Sequence, residues 1–63
     1  MKLNEFNSYD PDKQAEIVWE NGVIEEYRTG PEYYYILYKV HGFFVEVAFH
    51  KETNEIMRIE GFE

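Results

Sequence analysis

The chain contains no cysteine, which excludes both a disulfide framework and a thiolate zinc site. Histidine is scarce, with only His41 and His50, and outside tyrosine the hydroxyl-bearing residues are Ser8, Thr29 and Thr53. Little is left from which to build a nucleophile–base pair. The four glycines are isolated from one another, so no Gly-rich phosphate cradle is present. Bases are outnumbered, six against thirteen acids, for a formal charge of −7. Such a surface repels a phosphate backbone, and direct nucleic-acid binding is not expected. No apolar run approaches membrane-spanning length, and Met1–Phe6 lacks the apolar stretch of a signal peptide. These absences predict a cytoplasmic protein with no cofactor and no membrane partner.

Sixty-three residues make one small domain over 1–63, near the lower limit for folding without disulfides or metals. Stability must come from core packing, from association, or from both, and totals roughly 3–9 kcal/mol at this length. Aromatic residues are 19% of the chain, six of them tyrosine, which exceeds what a minimal core requires. Tyrosine tolerates a half-wet position at an interface, so the excess points to recognition surface.

The segment 33–49 organises the rest. Two runs of aromatic and β-branched residues flank His41-Gly42, a β-hairpin signal. A two-residue loop sets Val40 opposite Phe43, Tyr38 opposite Val45, Ile36 opposite Val47 and Tyr34 opposite Phe49. All eight then share one apolar face.

Upstream, Leu3, Phe6 and Tyr9 recur every third residue, as in a helical turn or an ordered arm packed on the body. Asp10 is a good N-cap, Pro11 suits the first helical position, and Asp12 complements the dipole, so a helix is predicted over 11–20. Gly22 reads as its left-handed terminator. Ala15, Val18 and Trp19 share a face expected to lie on the sheet, with Trp19 the main anchor and Ile17 packed under Leu3 and Phe6. Residues 23–28 read as a short strand and 29–32 as a turn. Residues 52–54 close a three-residue hairpin with Asn54 left-handed. That register sets Phe49 opposite Met57 and Val47 opposite Ile59, and residues 60–63 finish a strand that frays. The expected fold class is α+β: one main N-terminal helix packed on one face of a four-stranded antiparallel β-meander.

The pattern Gln14-Ala15-Glu16, Val18-Trp19-Glu20-x-Gly22, Tyr35-x-Leu37-Tyr38, Phe43-Phe44-Val45-Glu46-Val47 and Ile56-x-x-Ile59 resembles a group of short bacterial proteins with no assigned activity. The resemblance covers most of the chain and implies a small cytoplasmic α+β domain, while implying nothing about chemistry. Some members of that group continue past the point where this chain stops.

With one hairpin face committed to the core, the alternate residues face away: Tyr33, Tyr35, Leu37 and Lys39, then Phe44, Glu46, Ala48 and His50, with Ile24 and Ile56 expected to join them. A solvated sheet face is normally rich in Thr, Lys, Glu and Ser. This one clusters Tyr33, Tyr35, Leu37, Phe44 and Ala48 over an area on the order of several hundred Å², as large as the largest patch on a typical monomer. Solvated tyrosines paired across strands would account for part of it. Association through this face, most simply as a two-fold homodimer, accounts for all of it. Glu46, amid this cluster, is expected to form a structural ion pair with Arg58 or Lys39.

His41 and His50 fall at opposite ends of the hairpin and are expected to be turn and surface residues. Asp12, Glu16 and Glu20 form an i, i+4, i+8 stripe whose mutual repulsion local stability does not explain, although a solvated face in an acidic protein does. The expected function is a non-enzymatic protein-interaction domain, its partner a protein or a second copy, through Tyr33, Tyr35, Leu37, Phe44, Glu46 and Ala48. The alternative is an acidic inhibitor or nucleic-acid mimic that holds a basic protein through Asp12, Glu16 and Glu20. A ligand pocket at Tyr33, Tyr35, Glu46 and His50 is a more distant third.

Overall fold

The Asp10 carboxylate accepts the backbone N–H of Lys13 at 2.9 Å, with Pro11 at the first helical position, so the main helix starts where its sequence directs. The computed structural model describes all residues, Met1–Glu63. Two helices, α1 (Leu3–Asn7) and α2 (Pro11–Asn21), precede four strands: β1 (Gly22–Thr29), β2 (Tyr33–Val40), β3 (Phe43–His50) and β4 (Ile56–Phe62). The strands form one antiparallel sheet in the order β1-β2-β3-β4, an α+β meander with the helices on one face. No helix is long and apolar enough to cross a membrane.

The hairpin has the expected register, with Val40 against Phe43, Tyr38 against Val45, Ile36 against Val47 and Tyr34 against Phe49. Val40, Val45 and Val47 are completely buried and Phe43 and Phe49 nearly so. In the turn, the left-handed residue is His41, at φ 55°, rather than Gly42. Asn54 is left-handed as expected, at φ 61°, and its side-chain oxygen accepts the Tyr34 hydroxyl at 3.0 Å.

α2 buries Val18 and packs Ile17 with Phe6 and Leu3 as expected, but the expected anchor Trp19 is turned outward. Gln14, Ile17 and Val18 are buried, whereas Trp19 is 53% exposed. The cause is α1, whose Phe6 fills the core against Phe43 with ring centroids 5.4 Å apart. The Gln14 side-chain amide donates to the Phe6 carbonyl at 3.1 Å, which satisfies a helix-end acceptor in the interior. Rotation of α2 toward α1 buries Ile17 beside Phe6 and turns Trp19 outward. Trp19 therefore lies along Tyr38 and Phe49 instead of anchoring the core.

The helix runs one residue longer than expected, to Asn21. Gly22 is extended, at φ −82° and ψ 145°, and opens β1 directly. A left-handed terminator is not needed where the chain passes straight into a strand.

Both edge strands carry a bulge, and each inverts the facing of the residues beyond it. In β1 the register shifts between Ile24 and Glu26, so Ile24 opposes Tyr38 on the helix side and does not join the outer face. In the β3–β4 pair it shifts at Ala48/Phe49, so Phe49 opposes Ile56 rather than Met57. Ile56 thereby turns to the helix side and Met57 is left out of the core, half exposed. Val47 still opposes Ile59, as expected. The last strand does not end early: β4 reaches Phe62, whose ring stacks on Phe44 at 6.0 Å.

Candidate functional site

The outer face of the sheet is built as rows of cross-strand neighbours. Arg28, Tyr35, Ala48 and Arg58 form one row, and Glu26, Leu37, Glu46 and Glu60 form the next. A third holds Val23, Lys39, Phe44 and Phe62, and at the other end Tyr33 meets His50 edge-on at 5.6 Å. The expected partner-binding residues Tyr33, Tyr35, Leu37, Phe44, Glu46 and Ala48 thus share one surface. Ala48 is already buried within the single chain, and Tyr33, Tyr35, Leu37 and Phe44 are half-buried.

The arginine row and the glutamate row interlock. Glu46 and Glu60 stand directly opposite on β3 and β4, a like-charge pair that disfavours sheet pairing. Arg58 relieves it by donating to both carboxylates, at 3.0 Å each. Arg28 reaches from β1 across β2 to the other oxygen of Glu46, lies 3.4 Å from Glu26, and stacks over the Tyr35 ring at 5.1 Å. Each guanidinium therefore bridges two carboxylates, and Glu46, with its side chain 19% exposed, is bonded at both oxygens. The expected Glu46–Arg58 pair is present. The second cation is Arg28 and not Lys39, because Lys39 lies opposite Phe44, one row further on.

Val23, Glu26, Arg28, Met57, Glu60 and Phe62 are outer-face residues that the sequence pattern missed. Arg28 could have been found from the strict alternation back from Thr29, had the first strand been paired with the second. Met57 could not, because only the bulge explains its position.

A shallow depression of about 360 Å³ lies among Tyr33, Tyr35, Ala48, Met57 and Arg58. It does not gather the His50 and Glu46 groups that a catalytic pocket there would use. His50 Nδ1 accepts the Glu52 N–H at 3.2 Å, and both Glu46 oxygens are taken. His41 lies in the β2–β3 turn, at the far end of the hairpin from His50.

On α2 the predicted stripe is exposed along its length, but its members differ. Glu16 pairs with Lys13 at 3.1 Å, and that hydrogen bond holds the Lys13 ammonium above its usual pKa. Asp12 and Glu20 make no ion pair. Asp12 gains from the helix dipole at the first turn, whereas Glu20 sits at the end where no basic residue offsets the carbonyls.

The network on the outer face is mostly solvent-exposed, so its energetic weight is modest. Glu46→Gln is expected to cost about 1 kcal/mol of stability, because two exposed-to-half-buried pairs lose their common anion. Chemical denaturation at low salt and at about 1 M salt checks this, since the Debye length falls to about 3 Å at the latter and the loss should shrink. A loss of unchanged size at high salt would assign it to packing instead of charge.

Comparison of the chain with family models, with curated proteins and with solved structures returned no match.

Proposed function

We propose that the chain is a non-enzymatic protein-interaction domain whose contact surface is the outer face of the sheet, most simply toward a second copy of itself. The observation that carries this reading is the composition of that face around a paired centre. Tyrosine, phenylalanine, methionine and arginine are the residues enriched at protein interfaces. Here Tyr33, Tyr35, Phe44, Phe62 and Met57 surround the Arg28–Glu46–Arg58 bridge. A buried carboxylate without partners would oppose association strongly, and Glu46 arrives with both oxygens already bonded.

Size supports a weak association. Four strands at about 4.8 Å and seven residues at about 3.3 Å give a flat face of roughly 440 Å². That is about a tenth of the 4296 Å² accessible surface, the share usual for a small protein's interface but below the ~800 Å² a standard partner contributes. A contact of that size is of the weak, transient class, and micromolar dissociation is the range to search. Sedimentation velocity from about 1 to 500 μM, concentrations chosen to bracket that range, should show a shift toward twice the 7.7 kDa mass. Tyr35→Lys and Phe44→Lys should each abolish it. A clean monomer throughout, unchanged by either substitution, would remove the reading.

A further inference from the structure

A helix about 10 Å across cannot roof four strands that span roughly 19 Å. α2 crosses them diagonally. Pro11 and Gln14 in its first two turns line a depression with Ile56 and Ile59 of β4, and its other end runs into β1. The helix side of β1 and β2 is left partly open. Ile24 and Tyr27 are 60% and 61% exposed there, beside the half-exposed Trp19. Aromatic rings border this opening and continue into the core through the buried Phe49: Tyr38 lies 5.9 Å from Trp19, Trp19 6.4 Å from Phe49, Phe49 4.8 Å from Tyr34, and Tyr34 6.1 Å from Tyr27. Burial pushes the Tyr38 hydroxyl's pKa up.

The opening faces the free edge of the sheet. β1 is an edge strand, and no backbone hydrogen bond from a turn or loop satisfies its outward N–H and C=O groups. Two unpaired acids flank it, while Arg28 of β1 and the neighbouring Lys39 of β2 stand in outer-face rows. Glu20 follows Trp19, Glu25 follows Ile24 in the bulge, and neither is in an ion pair. The last turn of α2 holds no basic residue, so its carbonyl end adds partial negative charge. The cations that are paired are committed elsewhere: Lys13 on Glu16, and Arg28 and Arg58 on the opposite face.

We propose that this exposed aromatic surface beside the β1 edge is a docking site for an arginine-bearing, extended segment of a partner protein. A guanidinium plane stacks on aromatic faces and is attracted by their quadrupole, as Arg28 already is over Tyr35 on the other face. The edge strand supplies backbone hydrogen bonds to an extended chain, and the bulge at Glu25 limits them to a short stretch. A second copy fits poorly at this surface, since it would set its own unpaired Glu20 and Glu25 against these two. This surface is on the opposite side of the sheet from the outer-face contact and does not depend on it.

Trp19 is the chain's one tryptophan, so its emission reports occupancy directly. The probes are three capped decapeptides alternating valine with arginine, lysine or glutamate, titrated into the full chain at about 0.15 M salt. The arginine peptide should change Trp19 emission saturably, the lysine peptide more weakly, and the glutamate peptide not at all. Tyr27→Ala should weaken the arginine peptide roughly three- to fivefold, the size of one exposed cation–π contact. Glu63→Gln, beyond the end of β4 and outside both surfaces, should leave it unchanged. Three results would overturn the proposal: no saturable change with the arginine peptide; equal affinity for Tyr27→Ala and the unaltered chain, which marks simple charge attraction; or a concentration-dependent emission shift without peptide that Tyr27→Lys abolishes, which gives the surface to a second copy.

Discussion

Phe6→Ala should remove about 3–5 kcal/mol, around half or more of the chain's stability. Phe6 is completely buried, packs its ring on Phe43, and lies in the same cluster as Ile17, Val18 and Val47. Deleting a buried phenylalanine ring costs about 3–5 kcal/mol through lost transfer energy and an unfilled cavity. The whole chain has about 3–9 kcal/mol to lose. The loss extends beyond the ring, because the Phe6 carbonyl is also where Gln14 fastens α2 to α1. Phe6→Leu retains most of the volume and should cost less than about 1.5 kcal/mol. Far-ultraviolet circular dichroism with urea titration separates the two. An alanine variant with a full cooperative transition within 1 kcal/mol of the unaltered chain would show that α1 is an appendage rather than a core element.

Phe6 also marks where reading the sequence stopped short. The Leu3–Phe6–Tyr9 spacing is legible, but it is compatible with either a turn of helix or an extended arm. Nothing local decides between them, because a five-residue helix is stabilised by what it covers. Once Phe6 enters the core, Gln14 joins the expected Ile17 and Val18 in the interior, and the outward position of Trp19 follows. The central hairpin was legible because turn length and alternation specify the same register independently. The two edge strands were legible in extent but not in facing. Alternation counts residues and cannot detect an inserted one, so Ile24, Ile56 and Met57 were each assigned to the wrong side.

The outer face divides in the same way. Tyr33, Tyr35, Leu37, Phe44, Glu46 and Ala48 share a surface because they come from the well-specified hairpin. What covers them depends on long side chains reaching across strands, and that reach is not encoded in spacing. Arg28 joins Glu46 over an intervening strand, a contact eighteen residues apart in sequence. The surface is consequently more polar at its centre than alternation alone suggests, with apolar rings at the margins.

Glycine substitutions should have widely different effects that the turn rules do not anticipate. Gly22→Ala is expected to be among the costliest changes in the chain, about 2–3 kcal/mol, at the upper part of the range for overpacking. A Cβ at Gly22 would lie 2.6 Å from the Val18 carbonyl oxygen and 3.1 Å from Cδ1 of Tyr38. The first contact is backbone in the last turn of α2, which cannot move without breaking the helix-to-strand passage. At Gly61 the corresponding contacts are 2.9 Å to Leu3 and 3.1 Å to Asn7 and Phe6, all side-chain atoms. The α1 side chains can yield there, so Gly61→Ala should cost about 1–2 kcal/mol, in the lower part of the same range. Gly42 has nothing within 4 Å and is not left-handed. Gly42→Ala should therefore be neutral or stabilise by up to about 1 kcal/mol, through the reduced entropy of the unfolded chain. Denaturant midpoints of the three variants, compared at equal slope, test the order Gly22, Gly61, Gly42. If Gly42→Ala proved the most damaging, the left-handed residue of the hairpin turn would have to be Gly42 and not His41, and the register of the two central strands would need redrawing around it.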